Sequence, residues 1–310
     1  MPVLFVTCLK KFGFSFYHSA ILHARLMIDM GIWSGIERHR FDNWCQQYES
    51  SEEKALLGLL LRQLVYRSKE QVKSLLHQAF DKTIPQELYR ITGKEKVFED
   101  MQLLKSHSDY PESILIVPVI RDFEPPTKSG PLVARLLKKM IGINDKMMKW
   151  PWSLGDLENV ETIIFVDDFV GTGEQFLKFC KHHIDKKVFD KKINFLYSPI
   201  TANKDGLNNI TSNRADIKVC PIEVVTDEDN FFQSAKKEFE LSDNELAELE
   251  GFYLSFMMKI NLNKIGNNKG KMLRGYGGLA LTYAYEHGTP NGSLPLLWAN
   301  SENYTSLFSR

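Results

Sequence analysis

An apolar strand that ends in two acids and a turn of small residues is the feature that most constrains the fold of this chain. It reads Thr162-Ile163-Ile164-Phe165-Val166-Asp167-Asp168-Phe169-Val170-Gly171-Thr172-Gly173. A continuous apolar run such as residues 163–166 is typical of a strand buried on both faces of a parallel sheet. The residues after Gly173 have the spacing of a helix with one apolar face, so free backbone N–H groups and the positive end of the helix dipole face outwards at the turn. Because ligands bind such sheets at the carboxyl ends of the strands, the pattern predicts an anion site beside two carboxylates.

The order of apolar patterns along the chain predicts the fold class. Helical spacing dominates before about residue 109, whereas strand and helix patterns alternate from residue 114 onwards. Such alternation is typical of a doubly wound α/β sheet, so we expect a mainly parallel sheet preceded by an α-helical N-terminal region. The expected regions are residues 1–109, 110–230 and 231–310, the last a helix with a C-terminal strand and hood packed on the core. The expected strands are residues 113–117, 162–167, 193–200, 217–225 and 279–285, and a helix is expected over 231–250.

Composition and charge exclude several classes of protein. A chain of 310 residues with 43% hydrophobic content can bury a substantial core. Lys plus Arg and Asp plus Glu are 39 each, so the net charge does not indicate direct nucleic-acid binding or a membrane surface. The cysteines lie far apart, which favours reduced thiols in a cytoplasm over a disulfide framework or a zinc site. We expect neither a signal peptide nor a transmembrane helix. The four cysteines are Cys8, Cys45, Cys180 and Cys220.

The central motif resembles the phosphoribosyl-pyrophosphate (PRPP) motif of type I phosphoribosyltransferases, in which hydrophobic residues precede two adjacent acids and a Thr/Gly-rich loop. In that family the acids hold the ribose hydroxyls and the loop holds the 5′-phosphate. The resemblance implies that Asp167 and Asp168 are the catalytic acid pair and that they hold Mg²⁺ indirectly, through the ligand. It also implies a ribose-phosphate cradle formed by Val170, Gly171, Thr172, Gly173, Glu174 and Gln175. The assignment is chemically consistent, because hydroxyls need ionised acceptors and a phosphate needs donors.

One position departs from the family pattern. The family usually has a small residue and then Ser or Thr after Thr-Gly, whereas this chain has Glu174 and Gln175. A carboxylate at the start of a helix can take the amides that a phosphate would use. A phosphate at this loop would therefore compete with Glu174 for the amides. The simpler alternative is a strand end followed by an Asp-rich turn, with Asp168 capping the helix.

A second loop precedes the central motif. Residues 113–117 predict a strand, and Pro118, which cannot donate to a central ladder, is expected at its end. The family places its pyrophosphate loop here, and the resemblance implies contacts from Arg121, Lys128, Ser129 and Gly130. Three of these precede Pro131 at a predicted helix start, where a polyphosphate gains from free amides and the dipole. The alternative is that Ser129 only caps the helix and Lys128 is solvated.

The segment between the two loops, residues 142–156, occupies the place of the mobile catalytic loop of the family. That loop closes over the substrate and excludes water. The sequence Trp150-Pro151-Trp152 within it either stacks on a base or anchors the connector to the core, and we favour the anchor because tryptophans are large apolar side chains.

The tail adds a second resemblance. Thr289-Pro290-Asn291 precedes Leu294-Pro295-Leu296-Leu297-Trp298, a pattern similar to that of conflict-system phosphoribosyltransferase-like proteins of bacterial defence loci. This implies an effector of anti-phage defence that binds PRPP or a nucleotide. The alternative is a catalytically inactive nucleotide-binding or interaction subunit of a larger defence complex with a protein or ribonucleoprotein partner, such as a retron. The acceptor substrate cannot be inferred from the sequence. Three tail residues either reach the site or stabilise turns and core, and we favour the second role: Arg274, His287 and Asn291.

Overall fold

The computed structural model of the chain describes residues 9, 11–155, 157–185, 193–262 and 272–309. Contacts divide the chain into two compact units. The first, which we call the terminal unit, joins Met1–Glu70 to Thr226–Arg310, and the second, the sheet unit, is Gln71–Val225. These contact groups divide the chain differently from the three regions expected above, whose boundaries remain a prediction. Cys8 and Asp156 lie outside the described residues.

The sheet unit is an α/β layer structure, as expected. Its five strands are β2 Ile114–Pro118, β3 Thr162–Val170, β4 Asn194–Asn203, β5 Ile217–Val219 and β6 Glu223–Val225. They are parallel throughout, in the order β2-β3-β4-β5, and β6 pairs with β4 beyond the end of β5. The helices are α4 Lys69–Gln78, α5 Ile84–Thr92, α6 Lys96–Leu103, α7 Ser129–Leu136, α8 Glu174–His183 and α9 Lys204–Asn213, with π-helical turns Ala79–Thr83 and Leu137–Ile141 and 3₁₀ turns Asp145–Met147 and Pro151–Ser153.

Burial of the strands on both faces explains their continuous apolar runs. Every residue of β2 is buried, as are the first six residues of β3. Helix α8 contributes Phe176, Phe179 and Cys180 to the same core, at the three- and four-residue spacing of one helix face. The register pairs Ile116 with Ile164 and places the end of β2 opposite Val166, one residue before the acid pair. The sheet therefore delivers both acids to the edge where β2 has already ended.

The terminal unit combines the helical front of the chain with its tail. Its core packs residues from both ends, and Trp44 Nε1 donates to Tyr304 Oη over 2.6 Å. Residues 65–67 pair in parallel with residues 283–285, so the first and last strands among the described residues form a small second sheet. Its elements are α1 Phe14–Asp29, α2 Arg38–Gln46, α3 Ser51–Gln63, β1 Val65–Arg67, α10 Phe231–Glu238, α11 Asp243–Lys259 and β7 Tyr283–Tyr285, with 3₁₀ turns Asp227–Asp229, Tyr276–Gly278 and Pro295–Leu297. Among the described residues, no helix combines the length and apolar character needed to span a bilayer.

Three expected elements are different in the structure. The helix expected over 231–250 is two helices, because Glu240 adopts a φ of 50° and Ser242 opens α11 with a capping box. The strand expected over 217–225 is divided into β5 and β6 on either side of Pro221, which has no N–H for a ladder. Of the strand expected over 279–285, residues 283–285 form β7, and Ala280 has a φ of 47°, which interrupts an extended backbone.

Candidate active site

The two acids of the central motif have different surroundings. Strand β3 continues three residues past Asp167, and successive side chains of a strand point to opposite faces. Asp167 is buried, and its Oδ1 accepts hydrogen bonds from Ser129 Oγ at 2.7 Å and from the Asp168 backbone N–H at 3.0 Å. Tyr197 Oη donates to Asp167 Oδ2 over 3.4 Å. Asp168 is half-buried. Asp168 is thus partly accessible to solvent, whereas Asp167 is buried and hydrogen-bonded to neighbouring residues.

Burial changes the protonation of the inner acid. Desolvation raises the pKa of Asp167 well above its ordinary value, and the negative charge of Asp168 raises it further. The hydrogen bond from Ser129 acts in the opposite direction without reversing the shift. The same desolvation raises the pKa of the Tyr197 hydroxyl, and the charge of Asp167 adds to that shift. Burial and the neighbouring carboxylate therefore favour the protonated form of Asp167.

The small-residue loop after β3 is packed against the start of α9. Gly173 is the N-cap of α8 with a φ of 79°, a conformation that favours glycine. Asn209 Nδ2 donates to the carbonyl of Thr172 at 2.8 Å. A Cβ on Gly206 would lie 2.0 Å from the carbonyl oxygen of Gly171, so only glycine allows this approach. Helix α9 therefore packs against the loop and restricts its backbone through Gly206 and Asn209.

The amides of this loop have no hydrogen-bond acceptor among the described residues. In the part of the chain that the structure describes, the N–H groups of Gly171, Thr172 and Gly173 donate to no protein acceptor. They precede the N-terminus of the ten-residue helix α8, where the dipole favours negative charge. The loop has the donors that a phosphate needs.

The second predicted loop meets the first at Asp167. Ser129 begins α7, with Lys128 as the N-cap, and its hydroxyl makes the 2.7 Å bond to Asp167 described above. Gly130 lies so close to the end of β2 that a Cβ there would be 2.5 Å from the carbonyl oxygen of Val119. The structure thus brings the start of α7 against the acid pair, as the order of the loops suggested.

The two cations of the second loop share one carboxylate, which the sequence analysis did not single out. Arg121 Nη2 donates to Glu124 Oε1 over 2.8 Å, and Lys128 Nζ lies 3.5 Å from the same oxygen. Although burial alone raises the pKa of Glu124, hydrogen bonds from Arg121 and the charges of Arg121 and Lys128 lower it to about 2. Glu124 is therefore ionised at neutral pH, and an anionic ligand competes with it. Arg121 Nε is buried without a hydrogen-bond partner among the described residues.

The departure from the family pattern lies at the start of α8. Glu174 is exposed, and its Oε2 accepts from Lys178 Nζ at 2.9 Å, one helical turn further on. Gln175 is half-buried, and Val170 is buried at the end of β3. Lys178 offsets part of the negative charge that Glu174 places beside the loop amides.

The connector between the loops exposes its tryptophans. Trp150 and Trp152 are 44% and 47% exposed, and their rings stack on each other with centroids 5.1 Å apart. Pro151, which separates the two tryptophans in the sequence, is buried. The Lys149 N–H donates to the carbonyl of Ile116 in β2. The two rings are thus about half exposed, and the connector is attached by its backbone, by Pro151 and by the contact of Trp152 with the buried His183.

The tail residues singled out from the sequence have partners inside the terminal unit. Arg274 Nη2 donates to Glu250 Oε2 at 2.7 Å, and its guanidinium lies over the Phe232 ring. The His287 ring stacks on Tyr285 with centroids 4.7 Å apart. The Asn291 carbonyl accepts from the Tyr276 N–H at 2.7 Å. These are the fold-stabilising contacts that we favoured.

Four residues of the site were missed by sequence reasoning. Glu124 could have been predicted from the sequence, because it stands three residues after Arg121 and four before Lys128, the spacing of local ion pairs. Contacts from β4 and α9 carry no local signal, since they are made across thirty or more positions. The missed residues are Glu124, Tyr197, Gly206 and Asn209.

Comparisons with known proteins identify a family for this chain. A family model described as PRTase-CE matches residues 41–310. A search of curated proteins finds no match. Among solved structures, the chain is similar to orotate phosphoribosyltransferase from Aeropyrum pernix at 13% identity, with a TM-score of 0.26 over 50% of this chain and 82% of that one. It is also similar to the AQ2163 protein from Aquifex aeolicus at 14% identity, with a TM-score of 0.25 over 53% of this chain and 88% of that one.

Proposed function

The chain belongs to the PRTase-CE family, and from that premise we propose that the edge of its five-stranded sheet binds a 5-phosphorylated ribose ligand of the PRPP type. The observation that carries the proposal is the hydrogen bond between Ser129 and Asp167, which joins the start of α7 to the acid pair. It brings a helix N-terminus, an accessible carboxylate and an open loop of amides to one edge of the sheet. These groups match the pyrophosphate, the ribose hydroxyls and the 5′-phosphate of one molecule.

Each group of the site has a proposed role. Asp168 accepts hydrogen bonds from the ribose hydroxyls, and Asp167 positions it from within. The amides of residues 171–173 hold the 5′-phosphate, supported by the open N–H groups and by the start of α8. Val170 and Gln175 shape the two ends of this cradle. Arg121, Lys128, Ser129 and Gly130 take the pyrophosphate, for which Arg121 must turn from Glu124.

Magnesium fits this proposal as a partner of the ligand. Mg²⁺ prefers oxygen donors, keeps several waters and is usually bound through one or two carboxylates and substrate phosphates. Asp168 supplies a half-buried carboxylate of that kind, and Asp167 beside it is buried. The ion would neutralise charge on the pyrophosphate as the leaving group departs.

We propose phosphoribosyl transfer as the reaction. An acceptor would bond to the anomeric carbon of the ribose while the bond to pyrophosphate breaks, and the protein would contribute positioning and charge stabilisation. The test is a titration of the full chain with PRPP and Mg²⁺ by calorimetry, followed by an assay for released pyrophosphate with candidate acceptor bases. Saturable binding that needs Asp168 supports the site. If PRPP, ribose 5-phosphate and nucleoside monophosphates all fail to bind, the proposal is wrong.

A second candidate function is a nucleotide-binding subunit without catalysis. It is favoured by Glu124, which ion-pairs with both cations of the pyrophosphate loop. This subunit would bind the ligand and release no pyrophosphate with any acceptor.

The pyrophosphate loop can be tested with two opposite substitutions. Lys128→Ala removes a cation, so we expect weaker binding of PRPP by several-fold, while binding of ribose 5-phosphate stays within a factor of about two. Glu124→Gln frees Arg121 and Lys128, so it should strengthen PRPP binding and leave ribose 5-phosphate unchanged. Calorimetry with both ligands makes the measurement. Equal effects on the two ligands would show that the loop does not meet the pyrophosphate.

We also propose that the protein is a cytoplasmic effector of an anti-phage defence system. The tail pattern that ends in Trp298 supports the defence role, and the free thiols of Cys45, Cys180 and Cys220 support a reducing compartment. In this defence role the protein is either a toxin that consumes nucleotides or a subunit of a retron-like complex. Phage challenge of bacteria that carry the native locus or its Asp168→Asn variant tests the role, and equal protection by both would contradict an effector that acts through this site.

A further inference from the structure

A second cluster of chemically reactive side chains lies in the sheet unit, apart from the acid pair. Asp122 lies in the loop between β2 and α7, and His182 and His183 are the last two residues of α8. One ligand-type atom from each residue lies within 4.8 Å of the other two. The closest pair is His182 Nε2 and Asp122 Oδ1, at 2.8 Å. Residues sixty positions apart thus converge on one point.

The surroundings of the two histidines hold their rings in place. His183 is only 6% exposed, and its ring packs against Phe179 at 5.4 Å and Trp152 at 6.1 Å between centroids. The His182 ring meets the edge of Phe123 at 5.4 Å. Aromatic contacts of this kind fix ring orientation, which a metal site requires of its histidine ligands. Asp122 is exposed and leaves the cluster open to solvent on one side.

We propose that Asp122, His182 and His183 form a binding site for one divalent transition-metal ion, with Zn²⁺ as the best match. Two imidazole nitrogens and one carboxylate oxygen are a common ligand set for zinc, with bonds of about 2.0–2.2 Å and water in the fourth position. Such bonds place neighbouring ligand atoms about 3.4 Å apart. One separation is 2.8 Å and the others are at most 4.8 Å, so side-chain rotations would bring the three ligand atoms to this spacing. Magnesium is excluded by the imidazoles, because Mg²⁺ selects oxygen donors.

The position of the site gives the ion a structural consequence. Asp122 belongs to the loop that carries Arg121 and Glu124, and the histidines end the helix that begins at the small-residue loop. A bound ion would tie this loop to the end of α8 with three bonds. It would therefore stabilise the loop conformation, and the melting temperature should rise on binding. This inference does not depend on the identity of the ligand at the acid pair.

The test uses the full chain freed of metal and titrated with Co²⁺, whose visible absorption reports coordination number and ligand type, and then with Zn²⁺ by calorimetry. We expect one ion per chain, displacement of Co²⁺ by Zn²⁺ but not by Mg²⁺, and a rise in melting temperature of at least about 2 °C. His182→Gln and Asp122→Asn should each lower the Zn²⁺ affinity at least about tenfold. Both side chains lie near the surface, so these variants are expected to fold, which circular dichroism checks.

A matched control comes from a second His–Asp pair. His77 Nδ1 lies 2.9 Å from Asp81 Oδ2, and both residues are exposed to a similar degree. His77→Gln should leave the stoichiometry and affinity for Zn²⁺ unchanged. The proposal is overturned if the wild-type chain takes up no Co²⁺ or Zn²⁺, if His182→Gln and Asp122→Asn bind as tightly as the wild type, or if His77→Gln loses as much affinity as they do.

Discussion

Asp168→Asn should weaken the binding of PRPP about 10- to 100-fold and leave the fold intact. The side chain is half-buried at the carboxyl end of β3, beside the open amides of residues 171–173. Asn keeps the shape but removes the charged acceptor, and a hydrogen bond to a charged group contributes about 1.5–3 kcal/mol. Calorimetry measures the affinity, and thermal melting measures stability.

Two companion variants make this result specific. Asp205→Asn removes an exposed acid from the first turn of α9, next to the same loop, and should change the affinity by less than about twofold. Asp167→Asn should act mainly on stability, because the pKa of Asp167 is raised in the folded chain. A carboxyl group with a raised folded-state pKa binds more protons when folded, so the free energy of unfolding falls as pH rises above the unfolded pKa. Asn does not titrate, so its free energy of unfolding does not fall in this way as pH rises. The variant should be at least as stable as the wild type at neutral pH.

The outcome that would contradict this division is equally clear. If Asp167→Asn abolishes binding while Asp168→Asn binds normally, the inner acid turns towards the ligand and the outer one does not. Loss of folding in Asp168→Asn would show a structural acid instead.

The central motif was predictable because its information is local. A buried strand, two acids, small residues and an amphipathic helix follow one another directly, and each has its own sequence signal. The structure keeps that order, with β3, the turn at residues 171–173 and α8. The parallel sheet was predictable for the same reason, since strands and helices alternate along the chain.

What the sequence could not show depends on packing between distant segments. Successive side chains of a strand point to opposite faces, so different surroundings for Asp167 and Asp168 follow from the sequence. The burial of Asp167 against Tyr197 in β4 and Ser129 in α7 does not. Helix α9 was missed because several of its residues, including Gly206 and three asparagines, have weak helix propensity. Asn203 nevertheless starts it by accepting hydrogen bonds from the N–H groups of Asp205 and Gly206.

The packing of the N-terminal helical region against the tail could not be predicted from the sequence either. Each has clear local patterns, yet nothing in either pattern announces that β1 pairs with β7 across more than two hundred residues. Both segments contribute to one core, in which Tyr48 and Trp44 meet Tyr304. A contact of that kind is fixed by the apolar faces that remain after local structure has formed, and a single sequence does not rank the possible pairings.

Gly206→Ala is expected to have the largest combined effect on stability and binding. A Cβ at this position would lie 2.0 Å from the carbonyl oxygen of Gly171 and 3.1 Å from the Val170 side chain. The first contact is with backbone, so no side-chain rotation relieves it and the loop must move by about 1 Å. Overpacking of this kind costs about 1–3 kcal/mol. Misplacement of binding groups by about 1 Å can cost about 100-fold in function, so PRPP binding should fall by a similar factor.

The control for this substitution is Gly251→Ala, and the comparison shows whether the effect of Gly206→Ala comes from the clash with Gly171. Gly251 lies within α11, and a Cβ there meets nothing within 4 Å. Alanine favours a helix over glycine by about 0.5–1 kcal/mol, so Gly251→Ala should raise the melting temperature and leave binding unchanged. The same helix preference applies at Gly206, where the clash with Gly171 must overcome it. If Gly206→Ala melts at or above the wild-type temperature and binds PRPP normally, the loop is not held against α9, and the phosphate cradle proposed at residues 171–173 does not depend on that packing.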